Sequence, residues 1–427
     1  MYPGSARLCS ALLQLPAFGA SPLGSPVRRS AQLRRFSPAP ASCHTVCGDG
    51  MSVKPTAAAA AAATSSSRTV SSMGSSTSRL YSALAQPVGR AQPEQPALSA
   101  GGDADGVLRE CEEALRDRPP RVHRHFIAVE AAAQQHHSIR VMQWNILAQA
   151  LGEGKDSFVR CPPDALIWAE RKYLILEEIL TYRPDIVCLQ EVDHYFDTFQ
   201  PVLGSLGYHC TFQPKPRSPC LDVEHNNGPD GCALFFRRDR FELAGSVGLQ
   251  LAAAALDTNQ VALVQTLRCR ASGRRLCVAV THLKACCGWE RLRSAQGAHL
   301  LRALEDTAQG TSVPLLVCGD FNAEPCEDVY RRFATSGLNL DSACKLLSAD
   351  GQTEPPYTTW KIRPSGEVCH TLDYIWYSRH ALRVNSVLDL PTEAQIGPNR
   401  LPSYNYPSDH LSLVCDVSFR EEPDRLL

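Results

Sequence analysis

The chain contains no uninterrupted apolar run of 18 residues, so no segment is long enough to span a bilayer as a helix. It has no Cys-x-x-Cys pair. Its closest thiols, Cys43 with Cys47 and Cys286 with Cys287, lack zinc-ligand spacing. The 18 cysteines are scattered, and Cys188, Cys277, Cys318 and Cys415 sit inside apolar runs, where a thiol acts as a small buried hydrophobe. That usage suits a reducing compartment better than a disulfide framework. No internal period supports a solenoid, a coiled coil or a collagen helix. Acids are nearly absent from the first 93 residues, which hold nine basic side chains and Asp49 alone against them. That stretch is +8 and the remainder −9, a split hidden by the overall charge of −1. A wholly basic nucleic-acid packer is thereby excluded.

What is present divides the chain in two. Residues 1–105 are rich in Ala, Ser, Pro and Gly, with an alanine run from Ala57 to Ala63. Such a segment buries too little apolar surface to offset backbone entropy, so a disordered N-terminal extension is expected. Its Arg- and Ser-rich, acid-poor start predicts a mitochondrial transit peptide, with a plain basic tail as the alternative. Translation from Met73 would begin Met-Gly-Ser-Ser-Thr-Ser, placing Gly74 in a myristoylation pattern. One gene could then yield a mitochondrial long form and a cytoplasmic, membrane-touching short form, with the nucleus left open. Residues 106–137 read as a helix, over 107–118, and a linker.

From Ser138 the pattern alternates strands with helices, and 138–420 read as one large α/β domain. Strands are predicted at Ile139–Trp144, Ile186–Leu189, Cys232–Phe236, Val261–Leu267, Leu276–Leu283, Leu315–Cys318, Leu372–Tyr377 and Leu411–Val417. Helices are predicted at Asp164–Tyr182 and Trp289–Leu304.

The polar residues gather at strand ends. Asn145 follows Val141–Trp144, Glu191 follows Ile186–Leu189, and Asp320 and Asn322 follow Leu315–Cys318. His282 ends another strand, Asp373 lies inside Thr371–Tyr374, and Asp409 and His410 precede Leu411–Val414. Taken singly, each has a bland reading: Asp-Phe-Asn suits a turn, Glu191 a surface charge, and His282 or His410 a satisfied structural histidine. Taken together, carboxylates and amides at one sheet edge suit a hard divalent cation, and a carboxylate-held histidine completes the parts for phosphoester hydrolysis.

The segments VMQWNIL, CLQEVD, GCALFF, VTHLK, CGDFNAEP, TLDYIWYS and PSDHLSL occur in this order across residues 138–420. They resemble the endonuclease/exonuclease/phosphatase family. EVDHYFDTFQP, CLDVEHNNGPDGCALFF, EPPYTTWKI and IGPNRLPSYNYPSDHLSLVCD look like its deadenylase branch. The resemblance implies a four-layer α/β sandwich, two central β-sheets flanked by helices. It implies Mg2+ at Glu191, with Asn145, Asp320 and Asn322 holding phosphate, water or metal. It also implies His410 acting at the scissile phosphate, oriented by Asp373, with Asp409 and His282 completing the site.

The family hydrolyses many phosphate esters. The closer likeness implies removal of the 2′-phosphate of NADP(H), giving NAD(H), within circadian control of metabolism. With no Gly-x-Gly-x-x-Gly turn, a dinucleotide would be held by its phosphates rather than by a Rossmann turn. An acidic body argues against a groove tracking many phosphates and suits a small anionic substrate in a local basic pocket. Lys215, Lys284 and Arg363 are candidates for that pocket, with solvated loop charge as their bland alternative. Where the resembled branch member has a basic and a small polar residue after Lys-Ala, this chain has Cys286 and Cys287. A monomer is expected. Two other readings stand beside the phosphatase. One is a poly(A)-specific 3′ exonuclease meeting mRNA and RNA-regulatory proteins; the other is a non-catalytic RNA-regulatory binder.

Overall fold

The computed structural model describes residues 103–129, 138–253, 256–308 and 313–421. Residues 1–102 of the expected extension, with its transit signal, Met73 and Gly74, lie outside the described residues; residues 103–105, expected to belong to it, instead cap and begin the first helix.

Helix α1 (Ala104–Ala114) opens the described chain, with the Asp103 carboxylate accepting from the Asp105 N–H as its cap. It starts three residues before the expected helix and stops short of 118. Strands β1 (Phe126–Ala128) and β2 (Ile139–Asn145) follow. Then comes α2 (Trp168–Tyr182), shorter than expected because Ile167 is extended and separates it from a 3-10 turn at Pro163–Leu166. Next are β3 (Ile186–Gln190), α3 (Gln200–Ser205), β4 (Tyr208–Pro214) and β5 (Gly231–Arg237). Long β6 (Phe241–Ala253) and β7 (Leu256–Cys269) lead to β8 (Arg275–His282), α4 (Glu290–Thr307), β9 (Leu315–Asp320) and α5 (Asp328–Ala334). The chain continues through β10 (Leu340–Ser342), β11 (Thr359–Arg363), β12 (Gly366–His370), β13 (Asp373–Ser378) and β14 (Leu382–Leu388). It ends in α6 (Glu393–Ile396) and β15 (Leu413–Phe419).

Two mixed sheets form. One has the order β1-β14-β15-β2-β3-β5-β4 and the other β10-β13-β9-β8-β7-β6, with β11–β12 a separate hairpin. Pairing is parallel in β2–β3 and β8–β9, and antiparallel elsewhere.

Side chains on a strand alternate between faces. Ile139 and Val141 of β2, Ile186 and Cys188 of β3, Val278 and Val280 of β8, and Leu316 and Cys318 of β9 share one buried cluster. This is the layer between the sheets. The opposite faces, Met142 and Trp144 of β2 with Val187 and Leu189 of β3, pack under α1 and α2. Ala279 of β8 and Val317 of β9 pack with Leu300, Leu304 and Phe333 from α4 and α5. Helix, sheet, sheet and helix thus make four layers. Cys188, Cys277, Cys318 and Cys415 are fully buried and unpaired, as their apolar neighbours predict.

The same alternation positions the site. On β2 the inward series Ile139, Val141 continues as Gln143 and Asn145. On β3 it ends in Gln190, on β8 in His282 and on β9 in Asp320. On β13, which runs antiparallel to β9, Asp373 stands opposite Asp320 in the register. The layer between the sheets therefore changes from apolar to polar at one end.

Gly319 shows how tightly that end is built. A Cβ there would lie 2.7 Å from the Thr281 carbonyl oxygen and 2.8 Å from Thr281 Cγ2. Gly319→Ala is expected to push β8 from β9 and cost about 1–3 kcal/mol, as overpacking does. A lowered thermal midpoint would be the sign, and an unchanged one would refute it.

Candidate active site

Three strands end in left-handed backbone at the polar edge. Leu147 after β2, Glu191 after β3 and Asn322 after β9 have φ of 60°, 57° and 48°. Non-glycine residues rarely adopt this region, and such strain clusters at functional sites.

Asn145 sits between two carboxylates. Its Nδ2 donates to Glu191 Oε1 at 2.9 Å and to Asp320 Oδ2 at 3.0 Å, while its Oδ1 accepts the Leu147 N–H at 3.0 Å. Glu191 Oε2 accepts the Ala148 N–H at 3.2 Å. Burial pushes the Glu191 carboxyl up to about 7; Lys215 opposes that shift, and Asp409 and Asp230 add to it. Asp320 Oδ1 accepts the Asn322 N–H at 2.9 Å, and burial raises this carboxyl too.

His410 is held from behind. Its Nδ1 is 2.8 Å from Asp373 Oδ2, which also accepts the Thr358 hydroxyl at 2.6 Å. Its Nε2 faces Asp320 Oδ2 at 3.8 Å and Asp409 Oδ2 at 4.0 Å. Burial would lower the imidazolium, but Asp373 and Asp320 outweigh it and raise His410 to about 9. His282 is the opposite case. Burial, with Lys215 and His410 nearby, holds it well below the usual histidine range and hence neutral. Its Nε2 lies 3.0 Å from Asn322 Nδ2 and 3.5 Å from Asp320 Oδ2. Two histidines in one site thus carry different charge.

The expected basic residues separate. Lys215 is buried behind His282, with its Nζ 2.7 Å from Asp230 Oδ2 and 3.4 Å from His282 Nδ1. Lys215, expected as a phosphate clamp, thus stands ion-paired with Asp230 in the layer beneath His282. Arg363 lies at the end of β11 rather than in a loop, with its Nη2 2.9 Å from Asp156 and 3.6 Å from Asp409. Lys284 rests its ammonium over the Trp289 ring, 5.5 Å from the centroid. Its loop is tied down by Arg293, which donates to the Lys284 and Cys286 carbonyls at 3.1 and 2.7 Å. Cys286 and Cys287 are exposed beside it.

Sequence reasoning overlooked several supports. Ser408 donates to the Asn145 carbonyl at 2.6 Å and accepts the His410 N–H at 3.1 Å, tying the last motif to the first. Trp144 Nε1 donates to the His410 carbonyl at 2.7 Å. Gln143 and Gln190 pair through both amides, beneath the site. Asp230 and Lys361 were also unassigned. Lys361 stands two residues before Arg363, so strand periodicity alone places it on the same face.

Asp320, Asp373 and His410 offer ligand atoms within 4.8 Å of one another, all buried. Asp373 Oδ2 is already engaged by His410 and Thr358, whereas Glu191, Asn145 and Asp320 set two carboxylates and an amide side by side along one edge. That donor set fits a hard divalent cation.

Comparison with known proteins bears on the chemistry. The Endonuclease/Exonuclease/phosphatase family matches residues 142–410. Nocturnin of Xenopus laevis is 66% identical over 371 residues, 84% of this chain and 96% of its own. The solved human Nocturnin catalytic domain with bound sulfate anion has a TM-score of 0.61 at 63% identity, covering 71% of this chain and 99% of that one. ANGEL2, a 2′,3′-cyclic phosphatase solved with adenosine-2′,3′-vanadate, has a TM-score of 0.58 at 26% identity, covering 69% of this chain and 98% of that one.

Proposed function

Because this chain belongs to the endonuclease/exonuclease/phosphatase family and is a phosphoester hydrolase, we propose that it removes the 2′-phosphate of NADP(H) to leave NAD(H), with Mg2+ as its metal. The observation that carries the reading is the charge at the site: Arg363 and Lys361 stand at Asp409, beside the imidazolium of His410. Such a local cluster of positive charge suits one terminal phosphate better than a threaded strand, which needs a basic track. The likeness to a protein that holds a vanadate on the 2′ and 3′ positions of adenosine adds support, since the NADP(H) phosphate also sits on an adenosine ribose.

Glu191, Asn145 and Asp320 would hold the metal, which when bound supplies charge to the phosphate oxygens. The remaining roles follow from the side chains. His410, protonated and fixed by Asp373, donates a hydrogen bond or proton from Nε2 to an ester oxygen. Asp320, raised by burial and 3.8 Å from that nitrogen, accepts the proton of the attacking water. Neutral His282 and Asn322 hold the oxygens that neither group reaches.

The test is one preparation of residues 103–427 with Mg2+, given NADPH and oligo(A) in parallel. Phosphate release from NADPH, with weak salt dependence because few phosphates are engaged, is expected. Rapid shortening of oligo(A) with steep salt dependence and no phosphate from NADPH would make the protein an exonuclease instead.

A further inference from the structure

Lys361 and Arg363 are two residues apart on β11 and so share a face. Both converge on one oxygen, Asp409 Oδ2: the Lys361 ammonium in a close ion pair, Arg363 Nη2 at 3.6 Å. Arg363 is also held elsewhere, by Asp156 at 2.9 Å and by the Phe158 ring, 4.1 Å from its guanidinium carbon. The Lys361 ammonium lies further into the site, close enough that its charge opposes protonation of both His410 and His282.

The strand that carries it is fixed against the catalytic segment. Thr359 Oγ1 donates to the Asp409 carbonyl at 2.7 Å, and the Leu411 N–H donates to the Thr358 carbonyl at 2.7 Å. On the outer side the Val159 N–H donates to the Ile362 carbonyl at 3.0 Å. Backbone pairing fixes the strand that carries the Lys361 stem, and Asp409 places the ammonium at its end.

We propose that Lys361 is a specificity-determining residue: its ammonium recognises the second negative charge of a phosphomonoester and so ranks monoesters above diesters. A phosphomonoester carries about −1.5 to −2 at neutral pH and a diester one charge fewer at most. Lysine is a compact point charge on a flexible stem, suited to reading total charge rather than the planar fork geometry that arginine reads. Asp409 holds the ammonium at the pocket when no phosphate is there. The inference deepens the phosphatase reading and rests on it, because a strand-threading nuclease meets diesters alone.

Lys361→Gln tests it, since the glutamine amide can still donate to Asp409 but carries no charge. NADPH, p-nitrophenyl phosphate and bis(p-nitrophenyl) phosphate are compared by kcat/KM. The monoester-to-diester ratio is expected to fall about tenfold to a hundredfold, the worth of one charge-assisted contact. Lys361→Arg, which keeps the charge, is expected to retain most of the ratio. Circular dichroism and the thermal midpoint check that each variant folds. Equal fractional losses on monoester and diester, no loss, or a ratio lost in Lys361→Arg as well, would overturn the proposal. If unmutated protein ignores NADPH yet the p-nitrophenyl ratio still drops in Lys361→Gln, the NADP(H) reading fails and this one stands. If NADPH is dephosphorylated and the ratio does not move, this one fails alone.

Discussion

Replacing Glu191 is expected to lower turnover of every phosphoester by about a hundredfold or more, the scale on which a preorganised electrostatic stabiliser is lost. Glu191→Gln is the sharper variant. The amide keeps the shape and its one oxygen can accept from either the Asn145 side chain or the Ala148 N–H, so the charge and one accepted hydrogen bond are lost while the volume stays. The fold should be spared for a further reason. Burial raises this carboxyl from 4.5 to about 7, so the folded chain takes up a proton there that the unfolded chain does not. Without metal, stability is therefore lost as pH rises from 4.5 toward about 7, and Glu191→Gln removes that loss. Metal and proton compete for the same oxygens, so at subsaturating Mg2+ the activity of the unmutated protein should climb through the same range. An active Glu191→Gln enzyme, or one whose metal requirement is unchanged, would remove Glu191 from the site.

The second large effect belongs to His410. His410→Ala is expected to cost about a hundredfold to ten-thousandfold in kcat, the range for a positioned proton donor. The pH profile separates this from simple damage. Burial would lower His410, but Asp373 and Asp320 outweigh it and raise the group to about 9. A group that acts as imidazolium is lost as pH rises through that value. Asp373→Asn removes the nearest anion, 2.8 Å from Nδ1, so the alkaline limb of the rate profile should move to lower pH. A limb that stays in place in Asp373→Asn would mean that another group sets it.

The two readings of the basic residues show where sequence reasoning works and where it stops. Arg363 and Lys215 looked alike as candidate phosphate contacts in distant segments. Only the pairing of each with its acid separates them: Lys215 lies inside with Asp230, and Arg363 at the opening with Asp156 and Asp409. Lys361 was passed over because one lysine in a short polar strand has no signal of its own. Its meaning comes from Asp409, which is 48 residues away. The short or edge strands β4, β10, β11 and β12, and β14 with Arg383, Asn385 and Ser386 between its apolar residues, also lack the long apolar runs that revealed β2, β8 and β9. Helix α2 is shorter than its pattern predicts because Ile167 fits a helical pattern while its backbone is extended.

Residue types in order along the chain were enough to read an α/β body with polar strand ends and seven motifs that resemble a family of phosphoester hydrolases, and to nominate Glu191, Asp320, Asn322, Asp373 and His410 as candidate site residues. That information is local: apolar alternation of period two makes strands, and a switch to Asn, Glu, Asp or His at their ends marks where the buried layer opens. Tertiary structure alone decided which ends meet. It set Asp373 opposite Asp320, gave His410 a proton and withheld one from His282, and buried Lys215 while leaving Lys361 and Arg363 at the opening. Protonation and ion pairing depend on burial and on charges a few ångströms away, and those neighbours come from parts of the chain that no sequence window spans.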